Sequence, residues 1–121
     1  MKKLGDHDIK LVPRGHEYLL PTKIPTDLDT AWAAGIYEGE GSCNGSASSR
    51  TKITICQHVK NRFILDKLRD LFGGSVSHKE MNIYAWYICG NLARKFVNEI
   101  YPFLSPWRTG QIDSNFDRKR R

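Results

Sequence analysis

The stretch Thr26-Asp27-Leu28-Asp29-Thr30-Ala31-Trp32-Ala33-Ala34-Gly35-Ile36-Tyr37-Glu38-Gly39-Glu40-Gly41 decides the reading of this 121-residue chain. It opens with a capping-box pattern. Thr26 can accept from the backbone N–H of Asp29, and the Asp29 carboxylate can accept from that of Thr26. A helix is therefore expected over about 26–39. Leu28, Trp32 and Ile36 recur every four residues and make an apolar stripe suited to a core. Ala31, Ala34, Gly35 and Glu38 make a second stripe of mostly small side chains. Gly35 costs a helix about 1 kcal/mol relative to Ala, so its place asks for a packing reason. Burial against a sheet is one such reason; a second copy of the same helix crossing it is another.

Downstream, residues 42–48 are small and polar. Residues 51–57 alternate, with Ile53 and Ile55 on one face and Lys52 and Thr54 on the other. That pattern predicts a hairpin with its turn near Ser48-Ser49-Arg50. A second helix is expected over 61–72, carried by Ile64, Leu65, Leu68, Leu71 and Phe72 and stopped by Gly73-Gly74. A second hairpin follows, residues 75–79 and 83–89 around Glu80-Met81-Asn82. A third helix is expected after Asn91 as N-cap, with Ala93, Phe96, Val97, Ile100, Tyr101 and Leu104 on its apolar side and Pro102 and Pro106 bounding it.

The order αββαββα predicts an α+β domain. Its antiparallel four-stranded, saddle-shaped sheet carries the helices on one face, because strands apolar on one side bury only that side. By strand parity the open face would display Asn44, Ser46, Ser48, Arg50, Lys52, Thr54, Ser77, Lys79 and Tyr87, with Trp86 and Ile88 in the core. A twisted β-ribbon of that kind fits a DNA major groove.

Outside the expected domain of 26–112, residues 1–25 hold Pro13, Pro21, Pro25, Gly5 and Gly15, which argue against a long helix. Lys2, Lys3, Lys10, Arg14, His16 and Lys23 make this segment a basic arm, and 113–121 read as a basic tail ending Arg118-Lys119-Arg120-Arg121. Lys and Arg number 19 against 13 Asp and Glu, a net charge of +6 that favours a polyanionic partner without naming it. Cys43, Cys56 and Cys89 are odd in number and match no zinc spacing, as expected of free thiols in a reducing compartment. No apolar run approaches a membrane span, and residues 1–6 lack the apolar core of a secretory signal. A soluble, intracellular protein is expected.

Ala33-Ala34-Gly35-Ile36-Tyr37-Glu38-Gly39-Glu40-Gly41 resembles the nine-residue signature of the LAGLIDADG homing endonucleases. It departs from that signature with Ala first, Tyr fifth, Gly seventh and Glu at both Asp positions. Ile53-Thr54-Ile55-Cys56-Gln57 is similar to the family's strand ending in Gln. Phe63-Ile64-Leu65-Asp66-Lys67-Leu68 followed by Gly73-Gly74 resembles its second helix and stop. Tyr84-Ala85-Trp86-Tyr87-Ile88-Cys89-Gly90 and Tyr101-Pro102-Phe103-Leu104 look like its last strand and last helix end. The resemblance runs over about 28–112 in the family's element order. Gly35-Ile36-Tyr37 also spells half of the GIY-YIG nuclease signature, but the other half is absent, and in that family the tripeptide belongs to a strand.

The resemblance implies a site-specific endonuclease for double-stranded DNA, hydrolysing phosphodiesters with Mg²⁺ or Mn²⁺, leaving a staggered break, and serving intron or intein mobility. One signature per chain implies a homodimer joined through the signature helices, with Ala31, Ala34, Gly35 and Glu38 at the contact and a near-palindromic target. Glu40 matches the metal-binding position, and the Gly39 carbonyl is expected as a second ligand because carbonyls at a helix C-terminus are unpaired and partly negative; oxygen donors of this kind suit a hard cation. Gln57 matches a strand-end Gln that positions solvent, and Arg108 a basic residue that stabilises the phosphate. Asn44, Ser46, Ser48, Arg50, Lys52, Thr54, Ser77, Lys79 and Tyr87 would contact DNA. The same resemblance implies an alternative, a cleavage-inactive DNA-binding or intron-RNA-splicing (maturase) relative; the acidic residue kept at position 40 favours cutting.

Overall fold

The computed structural model describes residues 20–46 and 49–116, with the backbone alone at 44–46, 49 and 50. Helix α1 (Asp27–Glu40) starts at the capping box: Thr26 Oγ1 accepts from the Asp29 N–H at 3.1 Å, and Asp29 Oδ2 accepts from the Thr26 N–H at 3.0 Å. That backbone N–H is the main cause holding the Asp29 carboxyl below its ordinary value. The helix ends where Gly41 turns extended and donates to the Tyr37 carbonyl. Tyr37 is fully buried, and a Cβ on Gly41 would overlap its ring. The glycine that closes the signature is thus required by the tyrosine one turn before it.

From Gly41 the chain forms a hairpin, β1 (Gly41–Ser46) and β2 (Ser49–His58). A short 3₁₀ turn at Val59–Asn61 leads into α2 (Arg62–Phe72). Gly73 and Gly74, at φ 86° and 95°, reverse the chain into β3 (Ser75–Glu80) and β4 (Ile83–Cys89). These left-handed conformations suit glycine, and at Gly74 a Cβ would also run into Ile88 and the Tyr87 carbonyl. Then come α3 (Gly90–Ile100), a 3₁₀ turn at Tyr101–Phe103, and α4 (Pro106–Phe116).

The strands form one antiparallel sheet in the order β1-β2-β4-β3. Cys43 pairs with Ile53 and Ile53 with Ile88; Ile55 pairs with Trp86 and Trp86 with Val76. Those rows face the helices, and Ile53, Ile55, Trp86 and Ile88 are fully buried. The Phe96 ring sits edge-on to Tyr37, Phe72 and Trp86, with centroids 6.3, 4.9 and 5.2 Å away. Edge-to-face pairs of this kind tie α1, α2, α3 and β4 into one core. Trp86 Nε1 donates to the Gly73 carbonyl at 2.9 Å, satisfying the buried indole. The backbone N–H groups of Thr22 and Lys23 donate to the Asp70 carbonyl, so the end of the expected basic arm crosses the end of α2. The rest of that arm, 1–19, lies outside the described residues, as do 117–121.

Four expectations change. Of the expected turn Ser48-Ser49-Arg50, Ser49 and Arg50 belong to β2, and Ser48 lies outside the described residues. Helix α3 begins at Gly90 after Cys89, with no side-chain cap, because Gly90 at φ 61° turns the chain straight out of β4. On α1 the buried residues are Ala33, Ala34 and Tyr37, while Leu28 is 82% exposed and Trp32 and Ile36 only flank the core. The small side chains let α1 lie close to its neighbours, and Tyr37 supplies the bulk. Finally, the order is αββαββαα. Pro106 opens α4 where a helix boundary was expected, as proline at a first helical position can, and α4 crosses residue 112 to bury Ile112 and Phe116.

Candidate nucleic-acid interface

Glu40 is the last residue of α1, and the next residue, Gly41, pairs with Ile55. Beyond Ile55, β2 runs on through Cys56, Gln57 and His58, and His58 pairs with Ile83 at the start of β4. Glu40 therefore stands at the sheet end that also carries Gln57 and the β3–β4 turn. Its side chain is exposed and meets no cation among the described residues. A helix leaves its last four carbonyls without intrahelical partners. Here the Tyr37 carbonyl accepts from Gly41, and the Glu38 carbonyl accepts from Arg108 Nε at 3.2 Å. Gly39 and Glu40 supply the other two.

One exposed carboxylate and a helix-end carbonyl are the oxygen donors that Mg²⁺ or Mn²⁺ prefers, yet too few to complete a shell. No group of three His, Cys, Asp or Glu converges among the described residues. The donor set thus fits a cation whose remaining ligands come from solvent, phosphate or a second Glu40. Gln57 is half-buried, with Oε1 accepting from Asn61 Nδ2 at 3.3 Å. Its amide hydrogens have no acceptor among the described residues.

Arg108 does not line this end of the sheet in the open. It is 6% exposed, with Nη1 donating to Gln111 Oε1 at 2.8 Å and its guanidinium 5.0 Å from the Tyr37 ring and 4.9 Å from the Trp107 ring. Glu38 is also committed within the chain. Oε1 accepts from the Ser105 N–H at 2.9 Å and Oε2 from the Ser105 hydroxyl at 2.7 Å. These bonds, the backbone one foremost, hold its carboxyl below the usual range. Glu38, expected at a partner helix, makes these bonds to Ser105 within its own chain. Ala34, expected at the same contact, is 2% exposed and faces the core. Ala31 is half-buried and Gly35 is exposed, so the line of α1 turned away from the core is Leu28, Ala31, Gly35 and Gly39.

The sheet face away from the helices carries the expected polar row. Thr54 pairs with Tyr87 and Tyr87 with Ser75; Cys56 pairs with Ala85 and Ala85 with Ser77. Lys52 is exposed, its Nζ 5.1 Å over the Tyr87 ring, and Lys79 Nζ lies 3.9 Å from Cys56 Sγ. Asn44 pairs with Lys52 and Ser46 with Ser49 along the backbone; Arg50 stands in β2, and Ser48 lies outside the described residues. Ser42, opposite Thr54, and Cys56 and His58 join this face. The alternation through Lys52 and Thr54, carried two steps further, locates the last two.

No family model matches this chain, and no curated protein matches its sequence. Solved structures do. The homing endonuclease I-CvuI, in complex with its target in the presence of calcium, superposes with a TM-score of 0.61 at 20% identity, over 70% of this chain and 61% of that one. The homing endonuclease I-TnaI gives 0.60 at 22% identity over 70% and 67%. The LAGLIDADG meganuclease I-AabMI, bound to uncleaved DNA, gives 0.57 at 21% identity over 68% and 34%. This chain thus spans less than two thirds of I-CvuI and about a third of I-AabMI. At these identities the likeness is one of architecture, and the architecture of this chain is that of the LAGLIDADG homing endonucleases.

Proposed function

We propose that this chain is a site-specific DNA endonuclease of the homing type, acting as a homodimer inside the cell and serving intron or intein mobility. The observation that carries this reading is Glu40: an exposed carboxylate with no cation beside it among the described residues, at the end of the signature helix and at the margin of an open, lysine-bearing sheet face. The DNA in the I-CvuI and I-AabMI structures supports the same partner here.

Glu40 and the Gly39 carbonyl would hold Mg²⁺ or Mn²⁺. When bound, such an ion supplies an activated water and neutralises charge on the phosphate and the leaving oxygen. Gln57, anchored through Oε1 to Asn61, would orient the attacking water with its amide hydrogens. Lys52 and Lys79, with Asn44, Ser46, Ser48, Arg50, Thr54, Ser77 and Tyr87, would bind the duplex. Phosphate contacts fix its position, and base-edge contacts give specificity. The buried Arg108 enters through what it holds in place, not as a phosphate contact.

Dimerisation explains two otherwise costly residues. Gly35 and Gly39 are exposed within a helix, and a Cβ at either would meet nothing in the chain. Each costs about 1 kcal/mol of helix propensity with no return inside one subunit. A second α1 lying close along Leu28, Ala31, Gly35 and Gly39 supplies the return, and Leu28, 82% exposed, supplies apolar area. A twofold axis there would bring two Glu40 residues together over a near-palindromic site, for a staggered break across the minor groove.

The test is incubation with a randomised DNA pool and Mg²⁺, followed by recovery of cut molecules. Wild type should enrich one long near-palindromic sequence. Glu40→Gln should bind that sequence and leave it whole. If the two proteins behave alike, Glu40 is not the metal ligand.

A further inference from the structure

Resting on the reading of Glu40 as a metal ligand, we propose that Glu38 and Arg108 are positioning residues: together they make a reciprocal joint that fixes the last turn of α1. The end of α1 and the start of α4 lie side by side. A helix C-terminus carries partial negative charge and an N-terminus partial positive charge, and each end leaves backbone groups unpaired. Here each helix caps the other. The Glu38 carboxylate of α1 accepts from the Ser105 N–H and hydroxyl at 2.9 and 2.7 Å. Ser105 Oγ accepts from the Arg108 N–H at 3.2 Å, capping α4. Arg108 Nε then returns to the Glu38 carbonyl at 3.2 Å, capping α1. The circuit closes on the residue where it began, two positions before Glu40.

The remaining contacts make arginine the residue the joint needs. Nε holds the Glu38 carbonyl while Nη1 holds Gln111 Oε1 at 2.8 Å, and the guanidinium lies near the rings of Tyr37 and Trp107. A lysine ammonium is a point charge on a flexible stem and cannot reproduce a planar fork among rings. Helix ends fray unless tied. A frayed last turn would move Glu40 and the Gly39 carbonyl apart, and residues that orient metal ligands typically matter by about 10- to 100-fold.

The experiment compares wild type, Glu38→Ala, Glu38→Gln and Arg108→Lys as full chains. Amide hydrogen exchange over residues 39–41, Mn²⁺ affinity of the DNA-bound protein, and cleavage rate are measured below the melting temperature of each variant. Glu38→Ala and Arg108→Lys should exchange faster there, bind Mn²⁺ about tenfold more weakly and cut more slowly, with DNA affinity unchanged. Glu38→Gln, which still accepts from the Ser105 N–H, should recover most of the Mn²⁺ affinity. Unchanged exchange in Arg108→Lys overturns the joint; faster exchange with unchanged Mn²⁺ affinity overturns its positioning role. Should Glu38→Ala fail to fold, Arg108→Lys and Glu38→Gln decide alone. A wild type that neither binds Mn²⁺ nor cuts refutes the reading of Glu40, and exchange still judges the joint.

Discussion

Gly41 and Gly35 stand six positions apart in the same signature and answer to different partners. A side chain at Gly41 would overlap the buried Tyr37 ring. Gly41→Ala should therefore lower stability by about 1–3 kcal/mol, the usual cost of overpacking, read by urea denaturation. At Gly35 a Cβ meets nothing, so Gly35→Ala should stabilise the isolated subunit by about 1 kcal/mol through helix propensity. The same change should weaken self-association, read by sedimentation equilibrium. A Gly35→Ala variant that dimerises like wild type would move the subunit contact elsewhere. Gly35 was legible as needing a reason, and Gly41 was not; which partner each answers to depended on what lay beside it, and a linear sequence does not hold that.

At the scale of elements, the α1 capping box, the two hairpins and the Gly73-Gly74 stop were legible, because each depends on neighbours within a few residues. The Asp29 carboxyl is held below its ordinary 3.8 in the folded chain. Its stabilising contribution is therefore full above that value and is lost as pH falls through the lower folded value. Wild-type stability should accordingly fall more steeply than that of Asp29→Asn below about pH 4. Equal slopes in acid denaturation would show that the charge of the Asp29 carboxylate contributes nothing to the box. Two elements read differently. Leu28, Trp32 and Ile36 have core spacing, but α1 buries Ala33, Ala34 and Tyr37; periodicity reports that a helix has an apolar line, not which molecule covers it. Helix α4 was missed because Pro106 signals an end as readily as a start. The Ser105 cap, which accepts from the Arg108 N–H three residues on, was a local signal for the start, and only the Glu38 bond to Ser105, 67 positions away, was out of reach. Phe116, 2% exposed, tests that correction: Phe116→Ala should cost about 3–5 kcal/mol as a core truncation. A loss under 1 kcal/mol in thermal or urea unfolding would return this segment to the tail.

Across the whole molecule, the sheet separates two surfaces. One is sealed by helices around Trp86 and Phe96; the other carries Lys52, Lys79, Ser77 and Tyr87 toward solvent. Strand parity made that division legible from Ile53 and Ile55 alone. What parity could not give was the fate of Arg108 and Glu38, whose partners come from distant parts of the chain. If the lysines meet phosphates, Lys52→Ala and Lys79→Ala should each reduce the slope of log affinity against log salt by about 0.9, while Thr54→Ala leaves it unchanged. Slopes that do not move would assign the lysines to base edges or to no contact. The proposal as a whole stands on Glu40, and the most direct measurement is the single-turnover cutting rate of a recovered target in Mg²⁺, with wild type and Glu40→Gln saturating the DNA equally. The expected result is a fall of about two or more orders of magnitude in Glu40→Gln with affinity retained; equal rates would contradict it.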